Sequence, residues 1–237
     1  MNSVQPVLDR YADDVPVEEL VQPFLEFERW TGDDPRLLVA EAAAATTGQR
    51  FVDGIKPAVT RFREAFVETG RVSSVADIAA LSLEDDDLVA AFGARRNRHV
   101  LLEAAAVLAS RPEDDDLAAL RGWAAEADQY RHDEDPIGSI SGVGPSSFQY
   151  LRQLAGVDAV TPDPTVTAFV EAVDEELEHS PLETATDRLT IASCEWLSLV
   201  STYRPLAIDR IAWWAFTDDE DRRPALEAAG LTLGQLL

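Results

Sequence analysis

The chain has 237 residues, enough for one large domain or two small ones, and 46% of them are apolar, which is ordinary for a folded globular protein. Asp and Glu outnumber Lys and Arg by 44 to 20, for a net charge of -24, and the single lysine is Lys56. In dilute buffer this surface would repel DNA and strain the fold by self-repulsion, while the apolar content argues against disorder. The acidity and the shortage of lysine fit a halophile-type surface. At molar salt the Debye length falls to about 3 Å, so net charge no longer forbids a nucleic-acid partner, although counterion release then adds little to affinity.

Cys194 is the only cysteine, which leaves no disulfide framework, four-cysteine cluster or cysteine-rich zinc site within one chain. No run approaches the roughly 20 apolar residues of a membrane span, and the first residues lack a signal-peptide pattern. A cytoplasmic protein with no membrane partner is the expectation.

In chain order, helical spacing dominates and strand alternation is scarce. "VEELVQPFLEFERW" carries Leu20, Val21, Phe24 and Phe27 on one side, with Pro23 as a candidate break. "DDPRLLVAEAAAATTGQR" opens with an Asp cap and an early proline, then runs into a buried-looking alanine stretch. "KPAVTRFREAFVETG" offers Val59, Phe62, Phe66 and Val67 before Gly70 as a stop. Two short helices are expected over "SVADIAALSLEDDDLVAAFG", then a longer one over "RRNRHVLLEAAAVLAS" with Val100, Leu101, Ala104, Val107 and Leu108 inward.

"EDDDLAALRGWAAEADQYRHD" starts acidic, as the positive end of a helix favours. "PDPTVTAFVEAVDEELE" sets Val166, Phe169, Val170, Val173 and Leu177 on one stripe. Two more apolar helices and a short acidic tail helix or loose end close the chain. Trp196, Trp213 and Trp214 read as core, and the acidic runs Glu84–Asp87, Glu113–Asp116 and Asp218–Asp221 as solvated helix starts and loops. The expectation is an all-α unit over 1–237, in two helical lobes.

"SGVGPSSFQYLRQLAG" interrupts this pattern. Gly142 and Gly144 flank Val143, and Pro145 is placed to open a helix. Such a turn presents amides in one direction at a helix N-terminus, a ready anion site, and Ser146 and Ser147 add hydroxyls. Two glycines between helices also make a plain turn. Asp163 follows 17 residues after Ser146 in "VTPDPTV", where Asp163-Pro164 is also a good cap-plus-first-residue pair.

"ISGVGPSSF" followed by "VTPDPTV" resembles the helix–hairpin–helix DNA glycosylase superfamily, the endonuclease III-like fold, whose pattern runs LPGVGxKTA and then VDTHV. The resemblance covers about 36–216. "RLLVAEAAAATTGQRFVDGIKPAVTRF" stands where that family has its first core helices, and "LVAAFGARRNRHVLLEAAAVLA" resembles its helix, glycine turn, polar loop and helix. The resemblance implies a two-lobed all-α fold with a hairpin at about 136–156. It implies that Gly142, Val143, Gly144, Ser146 and Ser147 hold a DNA phosphate, and that Asp163 serves cleavage of the glycosidic bond of a flipped base; no cofactor or metal is expected, since the cysteines of the family's optional iron–sulfur cluster are absent.

The departures are specific. Ser146 stands where bifunctional members have the lysine that forms an imine, so no lyase step is expected by that route. Thr165 stands where the family has a histidine. Both leave room for a catalytically inactive DNA-binding or protein-interaction module.

Arg95, Arg96 and Arg98, with His99, form the one dense basic cluster, read either as a phosphate-contacting loop or as charge paired with nearby carboxylates. Gln49 and Arg50 in "TTGQR" stand where family members insert side chains into DNA, and a helix end at Gly48 is the plainer reading. His99, His132 and His179 show no metal-ligand spacing.

Overall fold

In the computed structural model, residues 3–228 are described, and among them every regular element is helical. The helices are α1 (Val4–Ala12), α2 (Val17–Leu25), α3 (Pro35–Ala45), α4 (Lys56–Phe62), α5 (Val75–Ala79), α6 (Asp86–Phe92), α7 (Arg95–Ala109) and α8 (Asp116–Glu126). Then follow α9 (Pro145–Leu154), α10 (Pro164–Glu176), α11 (Asp187–Leu199), α12 (Pro205–Phe216) and α13 (Asp219–Ala228). Two π turns, Phe51–Ile55 and Arg63–Val67, bracket α4, and a 3-10 segment, Gln129–Glu134, follows α8. No helix among the described residues is long and apolar enough to cross a membrane.

The apolar interior forms two clusters. The larger is built by α2 to α9 with Leu206 and Ala207 of α12, and Phe62, Phe66, Leu101, Leu120 and Phe148 are among its fully buried side chains. The smaller joins Val7 and Leu8 of α1 to Phe169, Val173, Leu197 and Ile211 of α10 to α12. The first helix therefore packs with the last third of the chain.

Local chemistry explains most helix starts. Asp34, Asp85, Asp115, Asp163 and Thr186 each accept a hydrogen bond from the first turn of the helix they precede. The acidic runs at 84–87 and 113–116 are thus helix openings. At α5, Ser74 and Asp77 form a reciprocal capping box, and Asp116 accepts from the Val75 amide at 2.7 Å. Ser74→Ala should lower stability by about 1 kcal/mol, seen as a fall in urea midpoint at unchanged slope.

The structure departs from the sequence reading at three places in this framework. Pro23 does not break α2, because it lies in the last turn of a helix that runs to Leu25. Phe27 is off the helix, at φ 58, with its ring against Gly156. Trp196, Trp213 and Trp214 are only half-buried, and the deeply buried tryptophan is Trp123, whose indole N–H donates to Asp135. Of the acidic tail, 219–228 is helical, and 229–237 lies outside the described residues.

Candidate functional site

The segment before the glycine turn is a single helical turn. Ser139 N donates to Asp135 O at 2.8 Å and Ile140 N to Ile137 O at 3.1 Å. Pro136 at its start and Gly138 within it limit its length. Asp135 Oδ1 accepts from the amides of Ile137 and Gly138, and this turn is joined to α8 through Trp123.

At the tip, Gly142 has φ 108, and a Cβ there would lie 3.0 Å from Arg96 Cγ. Gly142→Ala should therefore cost about 1–3 kcal/mol, measured as a loss in chemical denaturation. Gly144 is different. Its backbone is extended, at φ -109, and a Cβ there would meet nothing within 4 Å. Nothing among the described residues requires glycine at this position.

The amides do not all serve an anion. Val143 N donates to Ile140 O, and Gly144 N donates to Ser147 Oγ, so both are already engaged in closing the turn. Those of Gly142, Ser146 and Ser147 have no hydrogen-bond partner among the described residues, as the open end of a helix leaves them. Ser146 Oγ donates to Pro162 O at 3.1 Å, fastening α9 to the loop that leads into α10.

The basic cluster divides by burial. Arg98 is 5% exposed and donates to the carbonyls of Leu83 and Gly93, so it closes the α6–α7 corner from within and does not reach outward to a phosphate. Arg96 donates twice to Gly142 O and so buttresses the glycine turn. Arg95 is exposed.

One cleft of about 620 Å3 is lined by residues of α2, α3, the 51–55 π turn, α9, α10, α12 and α13. Ser146, Ser147, Asp163 and Thr165 line it, together with Gln49 and Arg50. Gly142, Val143, Gly144, Arg95, Arg96 and Arg98 do not. Asp163 Oδ1 caps α10 by accepting from Val166 N at 2.9 Å. Burial, and then the charge of Asp209, push the Asp163 carboxyl above its ordinary range, against the opposing effects of the Val166 amide and Arg210.

Asp209 holds the approach to Asp163 in place. It is 1% exposed, and its Oδ2 accepts from Thr161 N and Thr161 Oγ1, both at 2.7 Å, and from Gln153 Nε2 at 3.0 Å. Its Oδ1 takes the guanidinium of Arg210. A buried charge satisfied on both oxygens is affordable where an unpaired one is not.

Residues that sequence reasoning missed also line the cleft, among them Phe24, Arg29, Phe51, Tyr150, Arg210 and Trp213. Arg29 and Tyr150 converge on Glu41 Oε1, each at 2.5 Å, and Glu41 is fully buried. Burial alone would depress the Arg29 pKa, but the charge and hydrogen bonds of Glu41 and Tyr150 hold it above its ordinary value. The guanidinium carbons of Arg29 and Arg210 lie 4.4 and 4.9 Å from the centre of the Phe24 ring. Signals for these residues exist in the sequence. Glu41 is the one acidic residue in an apolar α3, Asp209-Arg210 interrupts an apolar α12, and Tyr150 lies one turn from Ser146 and Ser147 on α9.

Acidic α13 stands at the rim. Ala225 and Leu226 line the cleft, and Asp221 pairs with Arg50 at 3.3 Å between exposed side chains. No group of three or more His, Cys, Asp or Glu side chains suited to a metal occurs among the described residues. No protein-family model, curated protein or solved structure matches the chain.

Proposed function

We propose that the cleft binds DNA and hydrolyses the N-glycosidic bond of a flipped nucleotide, as a monofunctional base-excision glycosylase on a two-lobed, hairpin-bearing helical fold. The observation that carries this reading is the meeting of Asp163 and Ser146 in one nucleotide-sized cleft. Leaving-base departure builds positive charge on the sugar, and a half-buried carboxylate opposite it stabilises that charge or orients water. Ser146 cannot form an imine, so the reaction ends at the abasic site. The free amides at the start of α9 take a phosphate beside the flipped nucleotide, Arg95 and Arg50 supply outlying charge, and Gln49 stands where a side chain enters the duplex.

The test is incubation of duplexes carrying single modified bases in molar KCl, followed by hot alkali to reveal abasic sites. Release of a base supports the reading, and an inert lesion panel at every salt concentration removes it.

Gly144 gives a separate check on the phosphate site. Gly144→Glu has the space and backbone to fold normally, yet places a carboxylate beside the α9 amides. DNA affinity should fall about tenfold or more, while the thermal midpoint stays near that of the wild type.

A second reading has its own observation. Asp163 already has a structural task as the cap of α10. On that reading the cleft binds DNA or a protein without chemistry, and Asp163→Asn leaves binding intact with no activity to lose.

A further inference from the structure

Helix α13 closes one side of the cleft and is held there lightly. Thr217 and Asp218 join it to α12, and Thr217 is extended. Leu226, 2% exposed, and Ala225 form part of the cleft wall. The Arg222 guanidinium lies 4.5 Å from the centre of the Trp214 ring and donates to Thr217 O at 2.9 Å. Asp221 pairs with Arg50 at 3.3 Å, with both side chains more than half exposed. One buried leucine, one stacked arginine and an exposed ion pair make a shallow hold. The helix itself is weak. It has 10 residues, and Pro224 inside it crowds the Glu220 carbonyl and offers no amide for the helical bond.

Its charge opposes the ligand that the cleft is read to take. Asp218, Asp219, Glu220 and Asp221 are all exposed and lie at the end of α13 that meets Arg50. Arg222, the nearest cation in the helix, already pairs with Asp219 at 3.2 Å. A DNA phosphate arriving at Arg50 has to displace Asp221 and then lie beside the other carboxylates of this run. The docked helix and a bound DNA strand therefore compete for the same guanidinium.

We propose that α13 is an autoinhibitory strap: docked, it withholds Arg50 and one wall of the cleft from DNA, and it swings out about Thr217 and Asp218 when a strand binds. This rests on the DNA-binding part of the reading above and is independent of the glycosidic chemistry. Apparent affinity then follows the fraction of molecules with the strap open. If one molecule in about ten is open, binding is about tenfold weaker than that of the open form. Salt tunes the device. Dilute buffer strengthens both the Asp221–Arg50 pair and the repulsion of phosphate, whereas at molar salt, with a Debye length of about 3 Å, Leu226 becomes the main hold.

The experiment titrates the full chain in molar KCl with a labelled duplex bearing one tetrahydrofuran abasic analogue, a probe that needs no base release. Amide hydrogen exchange over 219–227 is followed in the free protein and at saturating duplex. Exchange there should rise about tenfold or more on binding, while the amides of α10 stay protected. Leu226→Ser keeps the acidic run and removes the apolar hold. With native helical circular dichroism, it should exchange fast over 219–227 without DNA and bind the duplex about tenfold more tightly. Asp219→Asn with Glu220→Gln and Asp221→Asn keeps Leu226 and removes the charge, and its gain in affinity should be larger in dilute buffer than at molar salt.

Protection of 219–227 that persists at saturating duplex overturns the inference and leaves DNA binding standing. So does a folded Leu226→Ser variant that binds no tighter than the wild type, and weaker binding by it makes α13 a part of the binding wall. Binding by the variant where the wild type shows none supports the strap. Absence of binding by both proteins at every salt concentration ends the DNA reading and this inference with it.

Discussion

Asp163→Asn should abolish base release, by about 100-fold or more, in a protein that is no less stable than the wild type. Two physical terms make this separation sharp. Asparagine caps a helix about as well as aspartate, so the hydrogen bond to Val166 N survives. Asparagine also carries no charge, so it escapes the burial and the repulsion from Asp209 that raise the Asp163 pKa. Asp163→Ala is equally uncharged but has no acceptor for Val166 N, and should lose about 1 kcal/mol with the cap.

The pH dependence points the same way, with opposite signs for stability and turnover. The folded chain holds the Asp163 proton more tightly than the unfolded chain does. Stability from this group is present below the ordinary carboxylate pKa and is lost as pH rises through the raised value. Activity needs the carboxylate, so it rises over that same window. In Asp163→Asn both dependences should vanish together, read by rate profiles and by denaturation at matched pH. A variant with full activity would remove Asp163 from the chemistry.

The largest stability effect is expected at Asp209. Asp209→Ala leaves the Arg210 guanidinium, Thr161 and Gln153 without their shared acceptor in a buried place. Loss of one partner from such a pair costs about 3–5 kcal/mol, a large part of the stability of most domains. Thermal and urea unfolding report it directly. Because Thr161 and Pro162 lead into Asp163, base release should fall even at temperatures where the variant stays folded. A variant as stable as the wild type would show that the Asp209 network is not what holds this loop.

The helical class was legible because the chain repeats its apolar residues at helical spacing and signs its helix starts with Asp, Ser, Thr and Pro. Val166, Phe169, Val170 and Val173 face inward as that spacing requires, and α7 begins at Arg95 where the polar loop gives way. That Asp163, Ser146, Gln49 and Arg50 line one cleft follows from no local pattern, since they come from separate helices and a loop. Nor was the cleft floor legible, because Phe24, Arg29, Tyr150 and Arg210 come from three helices and a loop that no local pattern connects. Arg98 misled for a related reason: charge in a sequence is read as exposure, and this guanidinium is spent on two backbone carbonyls. Trp213 misled in the opposite sense, since an aromatic on an apolar helix reads as core and here faces the cleft.

The π turn at 51–55 has a consequence for how this cleft tolerates changes in chain length. Ile55 N donates to Arg50 O and spans five residues, one more than an α-helical turn would. Phe51 and Ile55 both reach the cleft from this widened turn. Deleting one residue between them would restore ordinary helical spacing and rotate one wall residue away by about 100°. The wall is therefore encoded in the number of residues as well as in their identity, and a single-residue deletion here should harm the cleft more than most substitutions of the same side chains.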